Sequence, residues 1–338
     1  MSPILLSRLE IDDERWNNAI TASGQNTIYA LSWYLDVVCE DWNAIVWPSK
    51  SDYRVVLPLP IKIKWGIRVV QQPLFCQYLG FFYKNKISSE LLSEFLKLID
   101  SGFLYISSYA FSPFNYHVIN DIIPDFVRLK SGKRSTTWID LNRPYQQIRQ
   151  RYNRDRNVNL KRSQQEKWHV EQSEDLSPLI KLFKENHAGK IRGGVDERAY
   201  YMLGRLVEKI CLNANSELWY AVRGSQTVAG VLIVRSGNFA VYLFNAANDQ
   251  GRKGNARSLL LDKYLARNAE QDIVFDFESP EVASVISFYR SFGGEENPFI
   301  SICKNELPFP FKQIQILRKR LLRSFGRGES EEKVKSEN

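Results

Sequence analysis

Cysteine, histidine and methionine are scarce in this chain: four, three and two residues among 338. Cys39, Cys76, Cys211 and Cys303 lie far apart and never as C-x-x-C, so neither a zinc knuckle nor a disulfide framework is expected, and buried free thiols are. His117, His169 and His187 are not spaced as a metal site or a Ser-His-Asp arrangement, so no metal is expected. No stretch approaches the ~20 apolar residues of a spanning helix. The N-terminal MSPILLSRLEIDD has neither a basic start nor a useful apolar run, so a soluble, cytoplasmic chain is expected.

Apolar and aromatic residues are plentiful. At 44% hydrophobic and 13% aromatic, a chain of this length supports sizeable cores in about two domains. The net charge of +8 is concentrated in two runs. One holds Arg149, Arg151, Arg154, Arg156, Lys161, Arg162 and Lys167; the other holds Lys312, Arg318, Lys319, Arg320, Arg323 and Arg327. Each suits a polyanion such as a nucleotide, tRNA or acidic lipid headgroup, and each is equally readable as a solvated helix face.

In chain order, a helical pattern over 31–38 precedes strands over 44–47 and 53–63, a loop at 71–73 and the apolar run 75–83. A helix over 88–98 and a strand over 103–109 follow, then two strands joined by a turn at 131–133. Arg143-Pro144 introduces one long polar helix running to about residue 165, so a domain boundary is expected near Asn142. After a strand at 168–172 come helices over 176–185 and 198–211, joined by a flexible basic loop containing Arg192. That loop is readable as a cover for substrate or as a plain connector. A three-stranded meander over 218–244 leads into the stretch that carries the chemistry.

There, a strand ending at Phe244 runs through Gly251, Arg252, Lys253, Gly254, Asn255 and Ala256 into a helix with Leu259, Leu260, Tyr264 and Leu265 at helical spacing. Small residues at a helix start, with two adjacent cations, suit a pyrophosphate; an ordinary glycine turn is the competing reading. A strand over 273–277 follows, then Ser279-Pro280 as a helix start, and a helix ending at Gly293-Gly294. Strand alternation puts Asp276 and Glu278 on one face near the strand's C-terminal end, where a neighbouring carboxylate or burial would make one of them a base. Alternatively, Asp276 binds loop amides and Glu278 sits at the helix N-terminus. Residues 91–113 repeat the order of 259–280, a helix, a strand and Ser-Pro, which suggests an internal duplication.

This stretch resembles the GNAT acyltransferases, whose Gln/Arg-x-x-Gly-x-Gly/Ala loop holds the pyrophosphate of coenzyme A. Gly254-Asn255-Ala256 fits the second half of that pattern, whereas the first position is Gly251 and Arg252 comes one place late. Phe275-Asp276-Phe277-Glu278 and Phe288-Tyr289-Arg290-Ser291-Phe292-Gly293-Gly294 look like the motifs of the FemAB-like and CelD-like branch. The resemblance implies an α/β (α+β) fold of tandem GNAT-like domains with a mixed sheet flanked by helices. It divides the chain into a degenerate N-terminal domain (1–142), a domain with the anion loop (143–310) and a basic amphipathic tail (311–338). It further implies N-acyl transfer from acyl-CoA to an amine of an amino sugar, cell-envelope precursor or related metabolite. Asp276 or Glu278 would be the base, Tyr289 would protonate the leaving thiolate, and Gln77 and Tyr78 would meet the acceptor.

No nucleophile is needed when an amine attacks the acyl carbonyl directly. Two alternatives stand: an aminoacyl-tRNA donor, and a non-catalytic protein binding nucleic acid or a membrane surface on a GNAT scaffold. The short helices over 176–211 do not supply the long hairpin of many tRNA-using members, and the compact loop favours coenzyme A. In the tail, Phe311, Ile314, Leu317, Leu321 and Phe325 form an apolar stripe that would rest on an anionic membrane or on the protein's own core.

Overall fold

Runs rich in Val, Ile, Leu and aromatic residues form the strands of the structure, a computed structural model describing residues 2–64, 66–191, 193–279 and 282–317. The strands are β1 (Ile4–Ser7), β2 (Asp41–Ser49), β3 (Asp52–Lys64), β4 (Ile67–Gln71), β5 (Phe82–Tyr83), β6 (Tyr105–Ala110), β7 (Lys130–Asp140), β8 (His169–Ser173), β9 (Asn215–Arg223), β10 (Gln226–Ser236), β11 (Phe239–Ala247), β12 (Val274–Asp276) and β13 (Glu295–Asn305). All join one mixed sheet in the order β1-β2-β3-β4-β6-β13-β7-β12-β11-β10-β9-β8, with β5 pairing β3 off this path.

That order is its own mirror image when the first half of the chain is exchanged for the second. Parallel β4 and β6 correspond to parallel β11 and β12, so the internal repeat is expressed in the sheet. The last strand of each half is exchanged. β7, from the first half, pairs antiparallel with β12, and β13, from the second, pairs antiparallel with β6. The two exchanged strands meet at the centre, from Glu295 opposite Trp138 to Cys303 opposite Lys130. A cut near Asn142 therefore separates the repeats in sequence but not in the sheet.

Helices cover the faces: α1 (Asp13–Thr21), α2 (Ser32–Val38), α3 (Ser89–Gly102), α4 (Tyr116–Ile122), α5 (Tyr145–Gln150), α6 (Arg154–Gln165), α7 (Ser177–Asn186), α8 (Glu197–Asn213), α9 (Asp249–Lys253), α10 (Ala256–Arg267) and α11 (Ala283–Arg290). The single polar helix expected over 144–165 is two, α5 and α6. Asn153 breaks it, its side chain accepting from Arg156 N at 2.8 Å as the N-cap of α6. The break also removes much of the expected basic face. Arg149 approaches Asp262 at 3.4 Å, Arg151 pairs with Glu295 at 2.5 Å, and Arg156 is buried.

On α10, Leu259, Leu260, Leu261, Tyr264 and Leu265 are buried with Phe275 and Phe277, each such side chain worth about 1.5–3 kcal/mol. Beyond the end of α11 the chain turns at Gly293, whose φ of +75° suits glycine; a Cβ there would lie 2.4 Å from the Arg151 Cβ. The FYRSFGG motif is thus a helix end fitted against the start of α6, with Asn153 N donating to Ser291 O at 3.0 Å.

Residues 311–317 are helical. The tail stripe at Leu321 and Phe325, and the basic residues from Arg318 onward, lie outside the described residues, as does Arg192. Among the described residues no helix is long and apolar enough to cross a membrane, and no His/Cys/Asp/Glu group is arranged to hold a metal.

Candidate functional site

Strands β11 and β12 pair over only three residues, from Phe239 opposite Val274 to Val241 opposite Asp276, and then part. β11 stays with β10, which takes the Asn248 N–H on Val228 O at 3.0 Å. The corresponding gap in the first half is zipped shut by the chain itself. Gln72 N donates to Ser108 O at 2.8 Å, Leu79 N to Ala110 O at 2.8 Å and Ser112 N to Leu79 O at 2.6 Å. Among the described residues the sheet therefore opens in the second half and is closed in the first. Around this opening Arg257, in the first turn of α10, donates to Asn245 Oδ1 at 2.7 Å. Tyr242 and Tyr289 meet edge to face at 6.1 Å, and the buried Tyr242 hydroxyl has no hydrogen-bond partner among the described residues.

The stretch expected as an anion loop is mostly helix. Residues 249–253 form α9, and Asn255 in the left-handed region (φ +57°) redirects the chain into α10. Four of its amides are occupied: Gly251 N donates to Asn248 Oδ1 at 2.8 Å, Arg252 N to Asn248 O at 2.9 Å, Gly254 N to Gln250 O at 2.9 Å and Asn255 N to Arg252 O at 3.1 Å. Packing accounts for the two glycines. A Cβ on Gly251 would stand 2.2 Å from Val228 O, and one on Gly254 would stand 2.3 Å from the Trp168 ring. Arg252 turns back to Ala247 O at 2.5 Å and to Asp249. Lys253 is exposed, and Ala256 is buried in the core.

The two carboxylates expected on one strand face have separate surroundings. Asp276 is fully buried and accepts from the Tyr78 hydroxyl at 2.5 Å, the Thr136 hydroxyl at 2.5 Å and Glu278 N at 2.9 Å. Burial pushes its pKa up and the three donors oppose that shift. β12 ends at Asp276, so the alternation does not reach Glu278, whose backbone is left-handed (φ +49°). Glu278 instead lines a cleft of about 390 Å³ with Gln72, Phe75, Gln77, Arg134 and Leu243 among its walls. Burial raises the Glu278 pKa to about 8, and the Tyr29 hydroxyl donates to its Oε1. A carboxyl of that pKa at a cleft suits general base work near neutral pH.

Gln77 reaches the same cleft and donates to Ser279 O at 3.0 Å. Tyr78, expected at the acceptor, is fully buried and serves Asp276 instead. Tyr289 is 6% exposed and stacks on Phe277 at 4.6 Å; burial pushes its pKa up, so the phenol keeps its proton.

Sequence reasoning missed Tyr29 and Thr136, because nothing local marks a residue whose partner is more than 100 positions away. It also counted Arg156 in a basic surface run, whereas the residue is 4% exposed with no carboxylate partner among its contacts. Arg156 bonds the Ser258 and Ser291 hydroxyls and lies 4.3 Å from the ring centres of both Phe288 and Phe292. The signal for it was present: Ser291 and Phe292 belong to the FYRSFGG motif.

This fold, two similar halves sharing one mixed sheet, is similar to that of solved FemX and tandem GNAT structures. Its solved relatives include FemX, with a TM-score of 0.64 at 10% identity over 86% of this chain and 96% of that one. L-PGS from Bacillus licheniformis matches with a TM-score of 0.53 at 14% identity, over 91% of this chain and 96% of that one. A tandem GNAT protein from the clavulanic acid biosynthesis pathway matches with a TM-score of 0.53 at 9% identity, over 91% and 99%. No family model matches the sequence, and no curated protein matches it. At these identities the likeness is one of fold.

Proposed function

We propose that the protein transfers an acyl group from an activated donor to a primary amine, with Glu278 as general base. The observation that carries this reading is Glu278 itself: a carboxyl whose pKa is raised to about 8, lining a cleft beside the place where the sheet opens. The donor enters where β11 and β12 part, beside Arg257, and the amine approaches from the cleft past Gln77. The amine nitrogen bonds to the acyl carbon, Glu278 takes its proton, and the bond to the leaving group breaks. The leaving group takes up a proton as it departs, and we assign that proton to Tyr289, which meets Tyr242 at the opening.

Acyl-CoA is the donor that the opening suits, with Arg257 meeting a phosphate; the acceptor is an amine of an amino sugar, cell-envelope precursor or related metabolite. One observation favours aminoacyl-tRNA as a second donor. The amides of Gly251, Arg252, Gly254 and Asn255 are already bonded within the chain, so these four are not free to cradle a pyrophosphate. Arg154, Lys161 and Arg162 remain exposed on α6 for a polyanion. Both donors are cytoplasmic, which is where we place the protein.

Thermal shift with coenzyme A tests the first donor, since a ligand of the folded state raises Tm. A rise that Arg257→Ala abolishes supports it. Salt-resistant, aminoacylation-dependent tRNA binding with no coenzyme A shift selects the second. Loss of neither transfer nor binding in Glu278→Gln and Arg257→Ala removes this site from the account.

A further inference from the structure

Three tyrosines of the first half, Tyr29, Tyr34 and Tyr78, pack edge to face beneath the cleft. Tyr29 stands 5.7 Å from Tyr34 and 5.6 Å from Tyr78, and all three are fully buried. Each spends its hydroxyl on a different group at or under the cleft. Tyr29 donates to the Glu278 carboxyl, Tyr78 to the Asp276 carboxyl at 2.5 Å, and Tyr34 to Phe75 O. Glu278 and Phe75 are also the two cleft-lining residues with left-handed backbones, at φ +49° and +55°. Such backbone costs of order 1–3 kcal/mol and persists only where the surroundings hold it. The ring trio holds both walls.

We propose that Tyr29 is a positioning residue for Glu278: it fixes the carboxyl toward the cleft from the opposite half of the chain and favours its ionised form by hydrogen bonding. The proposal rests on Glu278 as the base. Without the Tyr29 hydroxyl, Glu278 keeps its backbone link to Asp276 but loses its side-chain anchor. Other titratable groups about Glu278 include Asp276, two residues earlier, Tyr78 beneath it, Tyr289 on α11, Cys76 in the cleft wall and Arg134 on β7 across the cleft. Asp276 touches Glu278 at the Glu278 backbone amide and not at the Glu278 carboxyl.

The test is the titration of the Glu278 carboxyl, followed by carbon-13 NMR in the full chain and assigned by its disappearance in Glu278→Gln. Tyr29→Phe keeps the ring and its packing. It should move the Glu278 titration upward by about one pH unit, since a hydrogen bond to a charged group favours the ionised form. The pH profile of transfer should rise with it, at an unchanged donor KM. Tyr34→Phe removes a hydroxyl from the same trio without touching Glu278 and should leave the titration in place. An unchanged titration in Tyr29→Phe, or equal movement in both variants, overturns the proposal. A titration that moves while Glu278→Gln retains full transfer overturns the base assignment and leaves the Tyr29 contact standing. Should Tyr29→Phe not fold, 3-fluorotyrosine at position 29, a stronger donor, must move the titration downward, and no movement sinks the idea.

Discussion

Replacing Glu278 by glutamine keeps the shape of the side chain and removes its titration, which gives the raised pKa a consequence for stability. An ordinary glutamate titrates near 4.5 and this one at about 8. Between those values the folded protein holds a proton that the unfolded chain has released, so stability falls as pH rises through the window and is unaffected below it. At 1.36 kcal/mol per pH unit, the full difference corresponds to about 5 kcal/mol. The carboxyl retains contact with the cleft and a hydrogen bond from Tyr29, so about 2 kcal/mol is the expected size. Glu278→Gln should therefore match the native protein at pH 4.5 and exceed it by about 2 kcal/mol at pH 9. Urea titrations of both proteins at both pH values measure this, and the double difference cancels every other titrating group. Parallel pH dependence in the two proteins would refute the reasoning. The same variant should lose transfer by about 100-fold or more, since general base catalysis contributes typically that much.

Gly254→Val should destabilise by about 1–3 kcal/mol, because its Cβ would fall 2.3 Å from Trp168, and an unchanged urea midpoint would show that this packing is not limiting. Arg156→Ala should cost about 3 kcal/mol in the same assay by emptying a buried slot between Phe288 and Phe292. A loss below ~1 kcal/mol would mean that the cost of burying an unpaired cation, whose pKa burial lowers to about 10, offsets its packing. Fragments 1–142 and 143–338, made separately, should each self-associate or stay unfolded, and should form a 1:1 complex when mixed. Light scattering after size exclusion reads the outcome, and two stable, independent monomers would contradict the strand exchange.

Local chemistry made the second half legible. Helical spacing of Leu259, Leu260, Tyr264 and Leu265 and the Gly293-Gly294 stop are encoded within a turn or two of where they act, whereas the helix expected to start at Ser279-Pro280 begins at Ala283, with Val282 as its N-cap and the Ser279 hydroxyl bonded to Thr137 instead. The duplication was legible for the same reason, since helix, strand and Ser-Pro recur in one order. Residues 249–256 misled because glycine beside cations fits both an open anion loop and a close approach of helix to strand. Only the positions of Val228 and Trp168 distinguish them. The strand exchange was invisible, because β7 and β13 have ordinary strand compositions and either would pair with either edge. Alternation placed Asp276 and Glu278 together, but it ended with β12, and the left-handed backbone at Glu278 then gave the two carboxylates different tasks.

The exchange and the site belong to one design. A buried carboxylate without donors costs several kcal/mol, so the Asp276 position is tenable only with its hydrogen bonds made. Two of the side chains that supply them, Tyr78 and Thr136, come from the first half, Thr136 on the exchanged strand β7. Asp276 in turn anchors the amide of Glu278, and Tyr29 anchors its carboxyl. In the first half the chain itself fills the gap between β4 and β6. What that half supplies is the floor of the other half's cleft. A second copy that no longer opens is retained because the working copy is not a complete structure without it.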